Sequence, residues 1–320
     1  MLYLGQSDIL QLGRNWTDLI AAIAEATKIY SHKDFAQPLK PYLRYRNPAN
    51  RIIAMPAFIG GEKSTAGIKW IASFPGNIEK GRPRAHSVTI LNDADTGVPL
   101  SVINTTLVSA IRTAAVSGFF IDEMLKHNPR KNKVNVGISG FGPIGKTHLE
   151  LVLNLLKDKV NKVTIFDLRP VTEHLLPGFE HVQIGLASRW EDAYADADIF
   201  ITCTVSRERY IGEKPKPGSL HLNVSLRDYK PELAGYFNHV VVDDWEEVCR
   251  ENTDIEKMHL EQGLKKEDTH SLAELVETPI ITHDGDVVFF SPMGMAVYDI
   301  VIARYYYDLA IHVKAGTHLE

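Results

Sequence analysis

The chain has 320 residues, 44% of them hydrophobic and 23% charged, with a formal charge of −5. That length exceeds one ordinary core, so two domains are expected. No basic surplus exists for a nucleic-acid backbone or an anionic membrane, and no apolar run of about 18 residues suggests a span. The first third reads as one helix and several strands. Trp16, Leu19, Ile20, Ile23 and Ala24 recur at helical spacing over 16–33, with Asn15 or Thr17 as cap. Strands are expected at 42–45, 51–56, 67–72 and 87–92. A turn at 92–97 and a returning strand at 98–103 follow, then a helix over 107–127.

From residue 134 the rhythm changes. A β-rich run at 134–139 ends in Gly140-Phe141-Gly142-Pro143-Ile144-Gly145. A helix to 157 and a strand at 162–166 come next. Later strands are expected at 181–186, 199–204, 220–225 and 240–243. Strands alternating with helices imply a doubly wound parallel sheet of Rossmann type. The stretch 293–312 reads as a long helix with an apolar surface. Such a helix is buried, against the first domain or at a subunit contact. The expected division is therefore a discontinuous α+β domain, 1–125 with 291–320, around a nucleotide-binding domain, 126–290.

The glycine run follows a strand, opens a helix, and precedes a strand that ends in Asp167. Gly140 suits the tight turn, Gly142 the approach of a pyrophosphate, and Gly145 close helix–strand packing. Pro143 fits the first helical turn, and the free N–H groups there suit phosphates. Asp167 suits the ribose hydroxyls of NAD, while nearby Arg169 keeps NADP open.

Arg112 lies in a helix that is apolar or small nearly all round, so it is expected to be buried. It then needs an anion: a bound carboxylate or phosphate, or an Asp or Glu from elsewhere in the chain. Lys69 points opposite to Ile68 and Trp70 in its strand, into a site or into solvent. Lys40, Arg44 and Arg84 are individually ordinary cations. With Lys69 and Arg112 they suit a ligand carrying several carboxylates. Asp228 follows the strand at 220–225, at the carboxyl edge of the sheet, as a proton acceptor or a turn aspartate. Cys203 and Cys249 lie far apart and in no CxxC pair, and the histidines form no HExxH. No metal site or disulfide framework is expected, and a reducing cytoplasm fits. The start, Met1-Leu2-Tyr3-Leu4-Gly5, does not read as a signal peptide.

Gly67-Ile68-Lys69-Trp70, Arg112-Thr113-Ala114-Ala115, the glycine loop and Asp228 together resemble the ornithine cyclodeaminase/mu-crystallin superfamily. So do the blocks Gln37-Pro38-Leu39-Lys40, Arg51-Ile52-Ile53-Ala54-Met55-Pro56, Ile201-Thr202-Cys203-Thr204, Val241-Val242-Asp243-Asp244-Trp245 and Pro292-Met293-Gly294-Met295-Ala296. Within the family they look most like a branch serving siderophore biosynthesis. The resemblance implies NAD-dependent oxidation of N-(2-amino-2-carboxyethyl)-L-glutamate, then hydrolysis to 2-oxoglutarate and L-2,3-diaminopropionate. It implies that Lys69 and Arg112 orient a carboxylate, that Lys40, Arg44 and Arg84 hold the others, and that Asp228 moves a proton. It places Arg112, Thr113, Thr202, Thr204, Val224, Ser225, Leu226, Ser291, Met293 and Gly294 along the cofactor. It also implies a homodimer joined through the first domains, and a pyridoxal-phosphate-dependent synthase as pathway partner.

One departure bears on substrate. Ornithine cyclodeaminases carry a glutamate shortly before the Met-Pro pair, for the distal amine. Here Ile52-Ile53-Ala54 precede Met55-Pro56, and an apolar residue cannot pair a buried ammonium. A cyclodeaminase, an imine or ketimine reductase, an alanine dehydrogenase and a mu-crystallin-like binding protein are the alternative readings.

Overall fold

The computed structural model describes residues 1–129, 133–171 and 182–320. It divides into two compact units, Met1–Val116 with Gly294–Glu320, and Ser117–Met293. The first break falls earlier than the expected residue 125, inside one continuous helix; the second falls at 294 rather than 291.

The first unit opens with β1 (Leu2–Gly5), α1 (Gln6–Leu12) and α2 (Trp16–Ser31). It continues with β2 (Phe35–Ala36), β3 (Tyr42–Leu43), β4 (Arg51–Ile59), β5 (Thr65–Ser73), β6 (Ala85–Asp93), β7 (Pro99–Asn104) and the start of α3 (Leu107–His127). Asn15 caps α2, accepting the Asp18 N–H, so the other candidate cap, Thr17, is not needed.

The second unit holds β8 (Val134–Ser139), α4 (Pro143–Leu156), β9 (Val160–Phe166), β10 (Gln183–Leu186), α5 (Trp190–Tyr194), β11 (Ile199–Thr202) and β12 (Leu220–Asn223). After these come β13 (His239–Val242), α6 (Trp245–Val248), α7 (Asp254–Gln262), β14 (Thr269–Ser271), α8 (Glu274–Glu277) and β15 (Val288–Ser291). The chain returns to the first unit with α9 (Ala296–Val313) and β16 (Thr317–His318). His181, where one strand was expected to begin, lies outside the described residues.

In the first unit the strands run β16-β1-β7-β6-β5-β4-β2, with β3 beside β4. Helices α2 and α9 pack together, and α9 lies on β4, β5 and β6. The apolar surface of α9 is thus covered by its own unit: Val297, Ile300, Ile302 and Ala303 are fully buried. Lys69 pairs with Met55 on β4 and Thr89 on β6, and all three are buried. Strand alternation puts Ile52, Ala54, Phe58, Ile68 and Trp70 on the opposite face. Trp70 is 43% exposed there.

In the second unit the order is β10-β9-β8-β11-β12-β15-β13-β14, every pairing parallel. The direction of strand addition reverses between β8 and β11, a switch point of the kind where such sheets bind ligands. Beneath the sheet Phe200, Tyr229, Phe237 and Phe289 pack as one aromatic core. The fold is therefore a Rossmann-type doubly wound sheet joined to a discontinuous α+β unit.

Candidate functional site

In the first unit two buried cations meet on one carboxylate. Lys69 Nζ and Arg112 Nε both reach Asp299 Oδ1, at 2.7 and 2.8 Å. Lys69 also donates to Ser109 Oγ at 3.2 Å. Lys40 Nζ donates to the Gly294 carbonyl at 2.8 Å. Lys40, Lys69, Arg112 and Asp299 are all buried. The anion that Arg112 required is thus at least partly internal, which answers one alternative left open by the sequence. Asp299 Oδ2 is buried without a partner among the described residues. An unmade bond on a buried carboxylate oxygen is costly, so that lone pair suits a donor brought by a ligand or water.

Burial pushes the Lys69 pKa down to about 7; Asp299 opposes the fall, and the Arg112 and Lys40 charges add to it. Burial alone raises the Asp299 carboxyl, but Arg112 and Lys69 outweigh it and hold the group below its ordinary range. Gly294 sits at φ +89°, and a Cβ there would stand 2.6 Å from an Arg112 Nη. Glycine therefore both permits the turn and leaves room for the guanidinium.

Arg44, expected beside this cluster, is exposed and stacks on Tyr42, its guanidinium 4.8 Å from the ring centroid. Arg51 joins the same ring at 5.6 Å. Arg84 is half-buried ahead of β6, where its carbonyl accepts the Phe74 N–H at 2.8 Å. Thr113 Oγ1 bonds back to the Ser109 carbonyl within α3.

In the second unit the glycine loop links β8 to α4. A Cβ at Gly140 would stand 2.6 Å from the Cys203 carbonyl group, and one at Gly145 2.1 Å from the Gly140 carbonyl oxygen. Around Gly142 nothing lies within 4 Å of the same construction. The first and third glycines are thus required by the fold, while the second faces open space. That open cradle, above the helix that starts at Pro143 and Ile144, fits a pyrophosphate. Asp167 Oδ2 accepts the Phe141 N–H at 2.7 Å and Oδ1 the Arg169 N–H at 2.8 Å. The acid braces the loop and retains lone pairs suited to ribose hydroxyls.

The turn after β12 carries Asp228. Its Oδ1 accepts from Thr204 Oγ1 at 2.6 Å, and its Oδ2 from Ser225 Oγ. Ser225 Oγ is also 2.7 Å from Thr202 Oγ1, which donates to Asn223 Oδ1 at 3.2 Å. Leu226 takes φ +70°, unusual for a branched residue, and its N–H is held by Asn223 Oδ1. A second carboxylate fixes this turn from below. Asp254 Oδ2 accepts the backbone N–H groups of Asp228 and Tyr229 at 2.9 and 3.0 Å, and Asn223 Nδ2 at 3.0 Å. Its Oδ1 meets Arg209 Nε at 2.6 Å. Burial pushes the Asp228 pKa above the usual carboxylate range, against the hydroxyls and Arg209.

Asp228, Thr202 and Ser291 have no exposed surface. The Thr202 hydroxyl and Ser291 Oγ, which accepts Asn223 Nδ2 at 3.2 Å, are spent inside the network. Both brace the turn from behind. Thr204, Val224 and Ser225 are half-buried and Leu226 is buried. The Met293 N–H donates to Asp243 Oδ1 at 2.9 Å. Sequence reasoning missed Asp299, Asn223, Arg209 and Asp254. Asp299 had a signal: it is the one acid in the apolar first two turns of α9, Ala296–Ala303, an anomaly like the one that singled out Arg112.

His148 is packing, not chemistry. It is buried against Ser117, at 2.9 Å, and burial lowers its pKa to about 4. Among the described residues no cluster suits a metal ion, and no helix is long and apolar enough to cross a membrane.

Known proteins resemble the chain over its whole length. The chain is 36% identical to N-((2S)-2-amino-2-carboxyethyl)-L-glutamate dehydrogenase of Staphylococcus aureus, covering 100% of this chain and 98% of that one. The Thermococcus litoralis Δ1-pyrroline-2-carboxylate reductase, solved with NADH and L-proline, superposes with a TM-score of 0.89 at 25% identity over 100% of both chains. An archaeal alanine dehydrogenase dimer with bound NAD superposes at 0.83 and 25% identity, covering 100% of this chain and 99% of that one. The profile of the ornithine cyclodeaminase/mu-crystallin family matches residues 4–314. The chain belongs to that family.

Proposed function

We propose that this protein oxidises N-(2-amino-2-carboxyethyl)-L-glutamate with NAD⁺ and water, giving 2-oxoglutarate, L-2,3-diaminopropionate, NADH and a proton. The protein is an NAD-dependent oxidoreductase acting on the CH–NH group of its donor, and the choice of donor is what is proposed. The observation that carries that choice is the cation cluster. Lys40, Lys69 and Arg112 are all buried, a single carboxylate, Asp299, pairs with Lys69 and Arg112, and β4 carries no acidic residue to receive a distal amine. That balance favours a substrate rich in carboxylates over one with two ammonium groups.

NAD, held by Gly140, Gly142, Pro143, Ile144 and Gly145 with Asp167 at its ribose, supplies the hydride acceptor. Lys69 and Arg112 orient the α-carboxylate, a positioning role worth far more than its binding energy alone. Lys40, Arg44 and Arg84 take the remaining carboxylates, and Asp299 Oδ2 offers an acceptor to the amine. Asp228 takes the proton from the amine and later from the attacking water. Thr113, Thr204, Val224, Ser225, Leu226, Met293 and Gly294 line the cofactor in this reading.

The exposed apolar sheet face around Trp70 supports a homodimer built through the first unit. The two free thiols fit the reducing cytoplasm. A synthase that joins glutamate to a three-carbon amino acid, pyridoxal-phosphate-dependent, is the partner that supplies the substrate for siderophore assembly. The likeness to the pyrroline-2-carboxylate reductase favours one second reading, imine reduction.

Purified protein with NAD⁺ and the glutamate adduct decides between them. NADH and 2-oxoglutarate formed in equal amounts is the expected result. Consumption of NADH with Δ1-pyrroline-2-carboxylate and no NADH from the adduct favours the reductase. Proline and ammonia from ornithine overturn the substrate argument.

A further inference from the structure

Two of the buried carboxylates of the second unit, Asp228 and Asp254, differ in the kind of partner they meet. Asp254 meets N–H donors: Arg209 Nε, Asn223 Nδ2 and the backbone of Asp228 and Tyr229. Such donors satisfy a carboxylate and cannot accept a hydrogen from a carboxylic acid. Burial pushes Asp254 up to about 6, so these partners keep it ionised at neutral pH.

The Asp228 side chain meets hydroxyls, Thr204 on one oxygen and Ser225 on the other. A hydroxyl donates or accepts as it rotates. With Asp228 ionised, both hydroxyls point at it. With Asp228 protonated, the acid donates to Ser225, Ser225 turns to Thr202 at 2.7 Å, and Thr202 ends on the Asn223 carbonyl oxygen at 3.2 Å. Both protonation states are therefore fully bonded, and no buried group is left unpaired when the proton moves. Asp228 has no exposed surface, whereas Ser225 and Thr204 are half-buried.

We propose that Asp228 exchanges its proton through the hydroxyls of Ser225 and Thr204, while Asp254 stands beneath as a fixed charge that holds the turn. The proposal rests on Asp228 being the acid–base group. In the transfer, an N–H or O–H bond of substrate or water breaks and its proton bonds to the Ser225 oxygen. Ser225's own proton passes at the same time to Asp228 Oδ2, and no electrons change hands. Arg209 and Asp254 are the charged groups around Asp228, with Tyr210, Tyr229 and Cys203 the neighbouring titratable ones.

The test uses the whole chain and two readouts. Carbon-13 NMR titration of the Asp228 carboxyl needs no turnover. Ser225→Ala removes a bond to the charged form, so the midpoint is expected to rise by about one pH unit, and Ser225→Thr to restore it. In the NADH-forming assay Ser225→Ala is expected to lower kcat by about 10- to 100-fold at unchanged KM, with the matching limb of the pH profile displaced the same way. Thr204→Val is expected to act in the same sense and Thr204→Ser to stay near wild type, which separates loss of the hydroxyl from loss of folding. A Ser225→Ala, Thr204→Val double variant with unchanged kcat and unchanged midpoint overturns the proposal. If Asp228→Asn is inactive in the same series, only the hydroxyl route fails. If Asp228→Asn turns over at the wild-type rate, the acid–base reading beneath it fails too.

Discussion

Two buried sites, one in each unit, hold charge in opposite ways. In the first, Lys69 and Arg112 meet a single carboxylate and Lys40 a backbone carbonyl, so every cationic partner is a nitrogen that only donates. In the second, Asp228 sits among hydroxyls that reverse direction at no cost in bonds. The first arrangement suits recognition of a fixed charge. The second suits passage of a proton. In the proposed function the first would hold the substrate and the second change it, a division made by the chemistry of the neighbours rather than by the charged residues themselves.

The largest expected effect bears on the first unit. Asp299→Asn leaves Lys69 and Arg112 buried without their counter-charge, and chemical denaturation is expected to show a loss of about 3–5 kcal/mol. A variant of unchanged stability would mean that the cluster does not depend on its internal carboxylate.

The glycine loop gives the next largest effect, and a clean split between folding and binding. Gly145→Ala drives a Cβ into the Gly140 carbonyl, so a loss of about 1–3 kcal/mol is expected. Gly142→Ala meets open space and is expected to keep the wild-type Tm while weakening NAD binding, read by fluorescence titration. Equal effects of the two on Tm would remove the argument that the second glycine serves a ligand.

Much of this was legible in the sequence, and the misses share a cause. Arg112 was found because an arginine in an apolar helix demands an anion. Its partner was not, because Asp299 lies 187 residues away, across the inserted unit. Asn223, Arg209 and Asp254 carry no local pattern; their meaning comes from where β12 ends and α7 begins. The strand β15 was missed because three apolar residues ahead of Ser291 and Pro292 read equally as loop or buried strand. Strand ends shifted where pairing, not composition, sets the limit: β4 and β5 run together for nine residues, longer than their apolar cores suggest. The alternation that placed Lys69 opposite Trp70 held, because its period is fixed by the backbone.

The smallest expected effect is on pH dependence. Lys69 loses its proton near 7 rather than at its model-peptide value of 10.5. It is charged below that point and neutral above it, so affinity for a carboxylate ligand is expected to fall as pH rises through about 7, by no more than about tenfold per pH unit. The lowered pKa also means that the unfolded chain binds more protons between 7 and 10.5, so this group's contribution favours folding increasingly as pH rises across that window. Calorimetric titration with the glutamate adduct across this range reads the binding effect. Lys69→Arg stays charged throughout and is expected to flatten it.

The most direct test of the account is the fate of the hydrogen on the glutamate α-carbon. With that position deuterated and NAD⁺ supplied, deuterium is expected in the NADH, in amounts equal to the 2-oxoglutarate released. Deuterium in the solvent, or 2-oxoglutarate formed without labelled NADH, would contradict it.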